Sequence, residues 1–201
     1  MRVPLIAIVL SSILGFVLEP EIAHKAAYSF SNCGINHENR GEAKSAVSAY
    51  SMAIFLDGDA YAYAGRATAL IGVFPRTVQN LKQSIRDFDR AIAMDPDGTT
   101  YLNRACPKNL LGDWRGAVAD YTEAIRFNPN DLVAYCCRGH VKEENGDRAG
   151  AIQDYSQVLK RAGVFEWTLT PNHENARKYM LRPAPVPYLH FPKQCNYNAL
   201  H

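Results

Sequence analysis

The side chains with the widest chemical repertoire are Cys136 and His140, which stand four residues apart. On a helix this spacing puts both on one face, and thiolate and imidazole are common ligands of zinc. Cys106 together with Glu143 or Glu144 would complete a set of four. Neither a Cys-x-x-Cys nor a His-Glu-x-x-His spacing is present, so we predict no metal site and keep a metal protein only as an alternative.

Cysteine usage leaves the redox chemistry open. The five cysteines are Cys33, Cys106, Cys136, Cys137 and Cys195. In an oxidising compartment an odd number leaves at least one thiol free or paired between chains. A disulfide between Cys106 and Cys136, or two small core side chains, would explain these positions equally well. A thiol protein that uses Cys106, Cys136 and His140 is therefore a second alternative.

Patterns that mark an active site are missing from the sequence. It has no Gly-rich phosphate loop, no Gly-x-Ser-x-Gly turn and no carboxylate pair in a recognisable cleft. The 201 residues are 47% hydrophobic and 21% charged, with a formal net charge of +2. This is the balance of an ordinary globular domain, without the clustered basic face that nucleic acid requires. We predict a non-catalytic protein with no cofactor and no nucleic-acid partner.

Charged residues recur at two places along the chain. The arginines are Arg66, Arg104 and Arg138, and the aspartates are Asp87, Asp120 and Asp154. An earlier stretch that otherwise matches has Cys33 and Ala49 at these two places. Because the base and the acid disappear together, we predict that they pair to stabilise the fold rather than bind an anionic ligand. An exposed pair of this kind contributes about 0–1 kcal/mol.

The recurring arginines and aspartates belong to an internal repeat, in which residues of one type stand at the same place in each copy and form a column. Small residues recur in the first half of each copy, at Gly34, Ala67, Ala105 and Gly139, and aromatic residues in the second half, at Tyr50, Phe88, Tyr121 and Tyr155. Tyr121 to Tyr155 is a step of 34 residues, and Phe88 to Tyr121 a step of 33. The second copy is longer between its halves, which predicts a loop insertion around Gly72 to Pro75. Gly-Asp and Gly-Glu pairs such as Gly112-Asp113 predict the turns between helices.

The repeat, its small and aromatic columns, and Pro96 and Pro129 at the ends of two copies resemble the tetratricopeptide repeat (TPR) family, of an exported bacterial type. The resemblance implies an all-α fold, an α-solenoid of four TPR helix hairpins plus a C-terminal capping helix. The copies would span 27–59, 60–97, 98–131 and 132–162, followed by a linker and capping helix at 163–181 and a Pro-rich tail at 182–201. Pro107 would kink or delay the first helix of the third copy.

Family members bind an extended peptide or a helix in a groove lined by the first helix of each hairpin. Carried over to this sequence, the resemblance implies a protein or peptide partner and a set of groove residues. These are Tyr28, Tyr61, Thr68, Thr99, Leu102, Asn103, Val133, His140 and Glu143. Tyr28, Tyr61 and Leu102 would be the anchors of such an interface, because a few buried residues usually dominate binding. The resulting function is a scaffold or adaptor for other polypeptides.

The N-terminal stretch is of a different kind. Arg2 is followed by an uncharged apolar run, residues 3–18, which ends at Glu19-Pro20-Glu21. This order is typical of a secretory signal, and the run is shorter than the ~20 residues of a membrane-spanning helix. We assign residues 1–23 to a signal peptide or N-terminal anchor, and predict an exported protein, periplasmic or secreted. A membrane-anchored envelope assembly factor, in which the run is retained, is the alternative.

Overall fold

The computed structural model describes residues 19–73 and 75–161, and this part of the chain folds into eight helices. They are α1 (Pro20–Asn39), α2 (Ala43–Leu56), α3 (Ala60–Gly72), α4 (Val78–Met94), α5 (Gly98–Leu110), α6 (Trp114–Phe127), α7 (Leu132–Glu144) and α8 (Arg148–Arg161). The apolar run at 3–18, the capping helix at 163–181 and the Pro-rich tail at 182–201 lie outside the described residues. Helix α1 begins at Pro20, inside the segment assigned to the signal or anchor.

Short polar sequences start and end these helices. Asp113 is the N-cap residue of α6 and accepts a hydrogen bond from the backbone N–H of Gly116 at 2.9 Å. This bond satisfies one of the backbone donors that have no partner in the first turn of a helix. Gly112 precedes it with φ +84°, a backbone conformation that glycine adopts at little cost. Asp147, after Gly146 at φ +87°, caps α8 through the N–H of Gly150 in the same way. The predicted Gly-Asp turns are therefore confirmed at these two places.

The helices form two compact units, α1–α4 and α5–α8. In the first unit each helix packs against the next along the chain, and α1 also contacts α3. In the second unit α5 packs against α6, α6 against α7 and α7 against α8. The loop insertion predicted in the second copy lies between the end of α3 at Gly72 and the start of α4 at Val78.

Tyr50 occupies the centre of the first unit, where its ring lies between two glycines. A Cβ atom built on Gly34 of α1 would stand 2.7 Å from the Tyr50 Cζ, and one built on Gly65 of α3 2.5 Å from its Cε1. Both distances are far shorter than van der Waals contact, so the ring fills space that exists because the glycines lack side chains.

Tyr121 has the same place in the second unit. Its side chain is fully buried in a cluster with Ala105 of α5, Ala117 of α6, and Ala134 and Val141 of α7. Helix α5 continues through Pro107 to Leu110, so the proline neither ends nor delays it. It lies in the last turn of the helix, and because proline has no N–H the helix lacks the one hydrogen bond that residue 107 would donate to the Asn103 carbonyl.

Candidate functional site

The recurring arginines and aspartates pair with each other, as predicted. Arg104 donates to Asp120 through Nε at 2.9 Å and Nη2 at 2.6 Å. Arg138 donates to Asp154 at 3.0 and 2.6 Å. The third pair, Arg66 with Asp87, has both contacts within 2.9 Å. This two-pronged geometry is the strongest form of the Arg–carboxylate contact.

Burial of the acids corrects the expectation that these pairs are exposed. Asp87, Asp120 and Asp154 are only 2–3% exposed. Lys108 adds a contact of 2.8 Å to Asp120, and Lys142 one of 2.9 Å to Asp154. A buried carboxylate is tolerated when its lone pairs are filled by cations and hydrogen bonds. The aspartates are therefore part of the folded core and are not available to a ligand.

Two of the arginines also reach the preceding hairpin of their own unit. Arg66 Nη1 is 3.4 Å from Ser51 Oγ on α2, and Arg138 Nη1 donates to Thr122 Oγ1 on α6 at 3.0 Å. Each arginine thus connects the two helices of its own hairpin through the aspartate and contacts the hairpin before it through a hydroxyl.

The cysteines and the histidine named in the sequence analysis lie in different surroundings. Cys106 and Cys136 are buried, and burial raises the pKa of Cys136 to about 12, so its thiol stays protonated at neutral pH and is a poor nucleophile. His140 lies 3.2 Å from Glu144 on the same helix. Over residues 19–73 and 75–161, no three His, Cys, Asp or Glu side chains are grouped to hold a metal ion. The buried cysteines fill the core as small apolar side chains.

The predicted groove residues differ widely in exposure. Tyr28 and Tyr61 are 67% and 53% exposed, and Thr99 is also exposed. Intermediate burial is found for Thr68, Asn103, Val133, His140 and Glu143. The nine residues are divided between the two units, with Tyr28, Tyr61 and Thr68 in the first.

Leu102 is a correction to the predicted set. Its side chain is 7% exposed and belongs to the core cluster around Tyr121. An aliphatic side chain on the α5 surface that faces the neighbouring helices gains more from this burial than from contact with water. Leu102 is therefore a packing residue and not an exposed anchor.

The structure adds Glu38 to the candidate site. Tyr50 Oη donates a hydrogen bond to Glu38 Oε2 at 2.9 Å, and Tyr155 Oη donates to Glu143 Oε2 at the same distance. Glu38 follows Gly34 by four residues, as Glu143 follows Gly139. This shared position was the signal in the sequence that could have identified Glu38 alongside Glu143.

Glu38, Tyr61 and Tyr28 lie on α1 and α3, and we call them the tyrosine face. Burial raises the pKa of Glu38, partly opposed by the hydrogen bond from Tyr50. Burial also raises the pKa of Tyr61, and the nearby Glu38 carboxylate raises it further. Tyr61 also interacts with the hydroxyl of Tyr50. Tyr50 thus connects the carboxylate on α1 with the tyrosine on α3.

Solved TPR proteins share this architecture. MamA superimposes with a TM-score of 0.63 over 69% of this chain and 79% of its own, at 20% sequence identity. YrrB, a TPR protein with an unusual peptide-binding site, superimposes with a TM-score of 0.61 over 87% of this chain and 88% of its own, at 15% identity. At such identities the likeness establishes the fold alone.

The chain is also similar in sequence to curated proteins, one of which is named for its tetratricopeptide repeats. Tetratricopeptide repeat protein 6 of Homo sapiens is 27% identical over 146 residues, which are 72% of this chain and 26% of that protein. The DnaJ protein P58IPK homolog B of Oryza sativa subsp. japonica is 33% identical over 87 residues, 41% of this chain and 18% of that protein. The chain thus spans about a quarter or less of the length of these relatives. No protein-family model matches it.

The fold and the repeat columns together are those of a TPR-like α-solenoid. The predicted class, all-α with sequential helix hairpins of the TPR α-solenoid type, is confirmed for the described residues.

Proposed function

We propose that the chain is a non-catalytic scaffold or adaptor that binds a polypeptide on the first helices of its hairpins. The observation that supports this is the exposure of Tyr28 and Tyr61 at equivalent places on α1 and α3, six residues before Gly34 and Ala67. Large aromatic rings left in solvent at a repeated position are typical of interface anchors. Peptide binding by the structural neighbour YrrB is consistent with this proposal.

Affinity capture tests the proposal. The intact chain and a Tyr28→Ala, Tyr61→Ala variant are used as baits, and the captured proteins are compared quantitatively. The matched control is Met52→Ala, Phe55→Ala, which removes two side chains of similar exposure, 44% and 49%, from α2. We expect partner recovery to fall for the tyrosine variant alone. Equal loss in both variants, or in neither, would reject the assignment to α1 and α3.

The proposed site of action is an exported compartment, periplasmic or secreted, and its support is the apolar run at residues 3–18 after Arg2. None of the described helices has the length and apolar character needed to cross a membrane. N-terminal sequencing of the protein recovered from cells tests this: a start after the run supports export with cleavage, whereas retention of the run in a membrane fraction supports the anchored assembly factor.

A further inference from the structure

We propose that the tyrosine face recognises a cationic side chain, lysine or arginine, of the bound polypeptide. This inference rests on the proposed peptide-binding function and specifies the chemistry of its ligand. The tyrosine rings would contact the cation, and the Glu38 carboxylate would neutralise it.

The two rings supply the first part of the site. Tyr28 and Tyr61 are more than half exposed, and α1 and α3, which carry them, are in contact. The face of a tyrosine ring attracts a cation because the ring's electron density is concentrated there, and guanidinium groups also stack on it. A polypeptide crossing these helices can therefore place an arginine or lysine against aromatic surface.

The carboxylate supplies the second part. Glu38 is half-buried on α1, and among the described residues its hydrogen-bond partner is the Tyr50 hydroxyl, a neutral donor. Tyr50 is held rigidly between Gly34 and Gly65, so it fixes the orientation of the carboxylate. A half-buried acid with a neutral donor gains strongly from a cation, because the charge–charge contact and the hydrogen bond then act together.

Two carboxylates lie near Tyr61. The carboxylates of Glu38 and Asp59 both act on the Tyr61 hydroxyl. This surface favours a basic ligand and disfavours an acidic one.

The second unit repeats only part of this arrangement. Glu143 accepts a hydrogen bond from Tyr155 as Glu38 does from Tyr50. The places equivalent to Tyr28 and Tyr61 are Thr99 and Val133, six residues before Ala105 and Gly139. Neither side chain offers an aromatic ring, so the inference is confined to the first unit.

The test uses the full chain and three short peptides blocked at both ends. One consists of glycine, serine and arginine, the second has citrulline at each arginine, and the third has glutamate there. Citrulline keeps the shape and most hydrogen-bond donors of arginine but carries no charge. Binding is measured by fluorescence anisotropy at low ionic strength, where charge effects are least screened.

We expect the arginine peptide to bind about tenfold more tightly than the citrulline peptide, the effect of one charge-assisted contact. The glutamate peptide should bind more weakly still. Glu38→Gln should abolish the preference for arginine over citrulline, and Tyr61→Leu should weaken binding of both. Glu123→Gln, which removes the same charge from α6 outside the tyrosine face, should leave the preference unchanged.

Three outcomes overturn the inference. They are no binding of the arginine peptide, equal affinity for arginine and citrulline peptides, and a Glu38→Gln variant that retains the preference. If one of these outcomes occurs while the citrulline or glutamate peptide still binds in a Tyr61-dependent way, the proposed function stands and only the ligand chemistry is wrong. A circular dichroism melt of each variant separates loss of binding from loss of fold.

Discussion

Glu38 is a carboxylate whose folded environment favours its protonated form. Burial withdraws water from the charged group, and the hydrogen bond from Tyr50 compensates only in part, so its pKa is raised above the ordinary 4.5. A raised folded-state pKa means that this group's contribution to stability is greatest below the unfolded pKa and is lost as pH rises through the folded value. At neutral pH the charge therefore opposes folding.

Replacing Glu38 with glutamine should consequently stabilise the protein at neutral pH. Glutamine keeps an oxygen that accepts from Tyr50 and removes the buried charge. We expect a higher melting temperature than wild type near pH 7, and a difference that shrinks as pH falls towards 4. Differential scanning calorimetry across this range measures it. A difference that grows on acidification would contradict the raised pKa of Glu38.

Asp120 presents the opposite case, a buried acid whose charge is matched. It receives two hydrogen bonds from Arg104 and a contact from Lys108. Asp120→Ala would leave both cations without a carboxylate inside the fold, which should cost about 2–4 kcal/mol. Urea denaturation followed by circular dichroism gives the change in unfolding free energy.

The control for this variant is Asp95→Ala, which changes an exposed aspartate at the end of α4. It should shift stability by no more than about 0.5 kcal/mol. A loss below about 1 kcal/mol for Asp120→Ala would mean that the pair behaves as a surface ion pair after all.

At the scale of the helices, the repeats differ in which side chains fill the space between the two helices of a hairpin. Gly34 and Gly139 stand in the copies whose aromatic residue is a tyrosine that hydrogen-bonds a glutamate. In the second copy Ala67 replaces the glycine, Phe88 the tyrosine and Ile71 the glutamate. When the hydroxyl is lost, the acid at the partner position is replaced by a buried aliphatic residue, which avoids leaving a carboxylate without its donor.

Gly34→Ala tests the close contact of α1 with Tyr50. The new methyl would stand 2.7 Å from the ring, so α1 or the ring must shift, and we expect a loss of about 1–3 kcal/mol. Gly72→Ala is the matched control, because its nearest neighbour is the Ala43 Cβ at 3.4 Å. Thermal melts should show destabilisation by the first variant and little change from the second. Equal effects would reject the packing argument.

Contacts made by residues that recur in each repeat could be predicted from the sequence, whereas the degree of burial of individual side chains could not. Pairing of Arg104 with Asp120 followed from the joint loss of base and acid in the first copy. Helical periodicity gives the direction of a side chain but not how much neighbouring atoms cover it. For this reason Leu102 was predicted to be a groove anchor and the aspartates to lie in exposed pairs. Glu38 was missed although its spacing from Gly34 repeats that of Glu143 from Gly139.

For the molecule as a whole, the grouping of contacts into α1–α4 and α5–α8 has an energetic consequence. In a repeat protein, stability is approximately a sum of terms from each repeat and its immediate neighbours. Gly34 and Gly139 make their closest contacts with Tyr50 and Tyr155, inside different units. Perturbations at the two glycines should therefore be nearly independent.

A double-mutant cycle of Gly34→Ala and Gly139→Ala measures this independence. In the second unit a Cβ on Gly139 would stand 2.8 Å from Tyr155 Cε1, so each single variant should lose stability by overpacking. The double variant should lose the sum of the two within about 0.5 kcal/mol. Hydrogen exchange read helix by helix should show faster exchange in α1–α4 for Gly34→Ala and in α7–α8 for Gly139→Ala. Faster exchange throughout the chain in either single variant would show that the array unfolds as one cooperative body. A coupling energy above about 1 kcal/mol would show that the two glycine sites interact energetically.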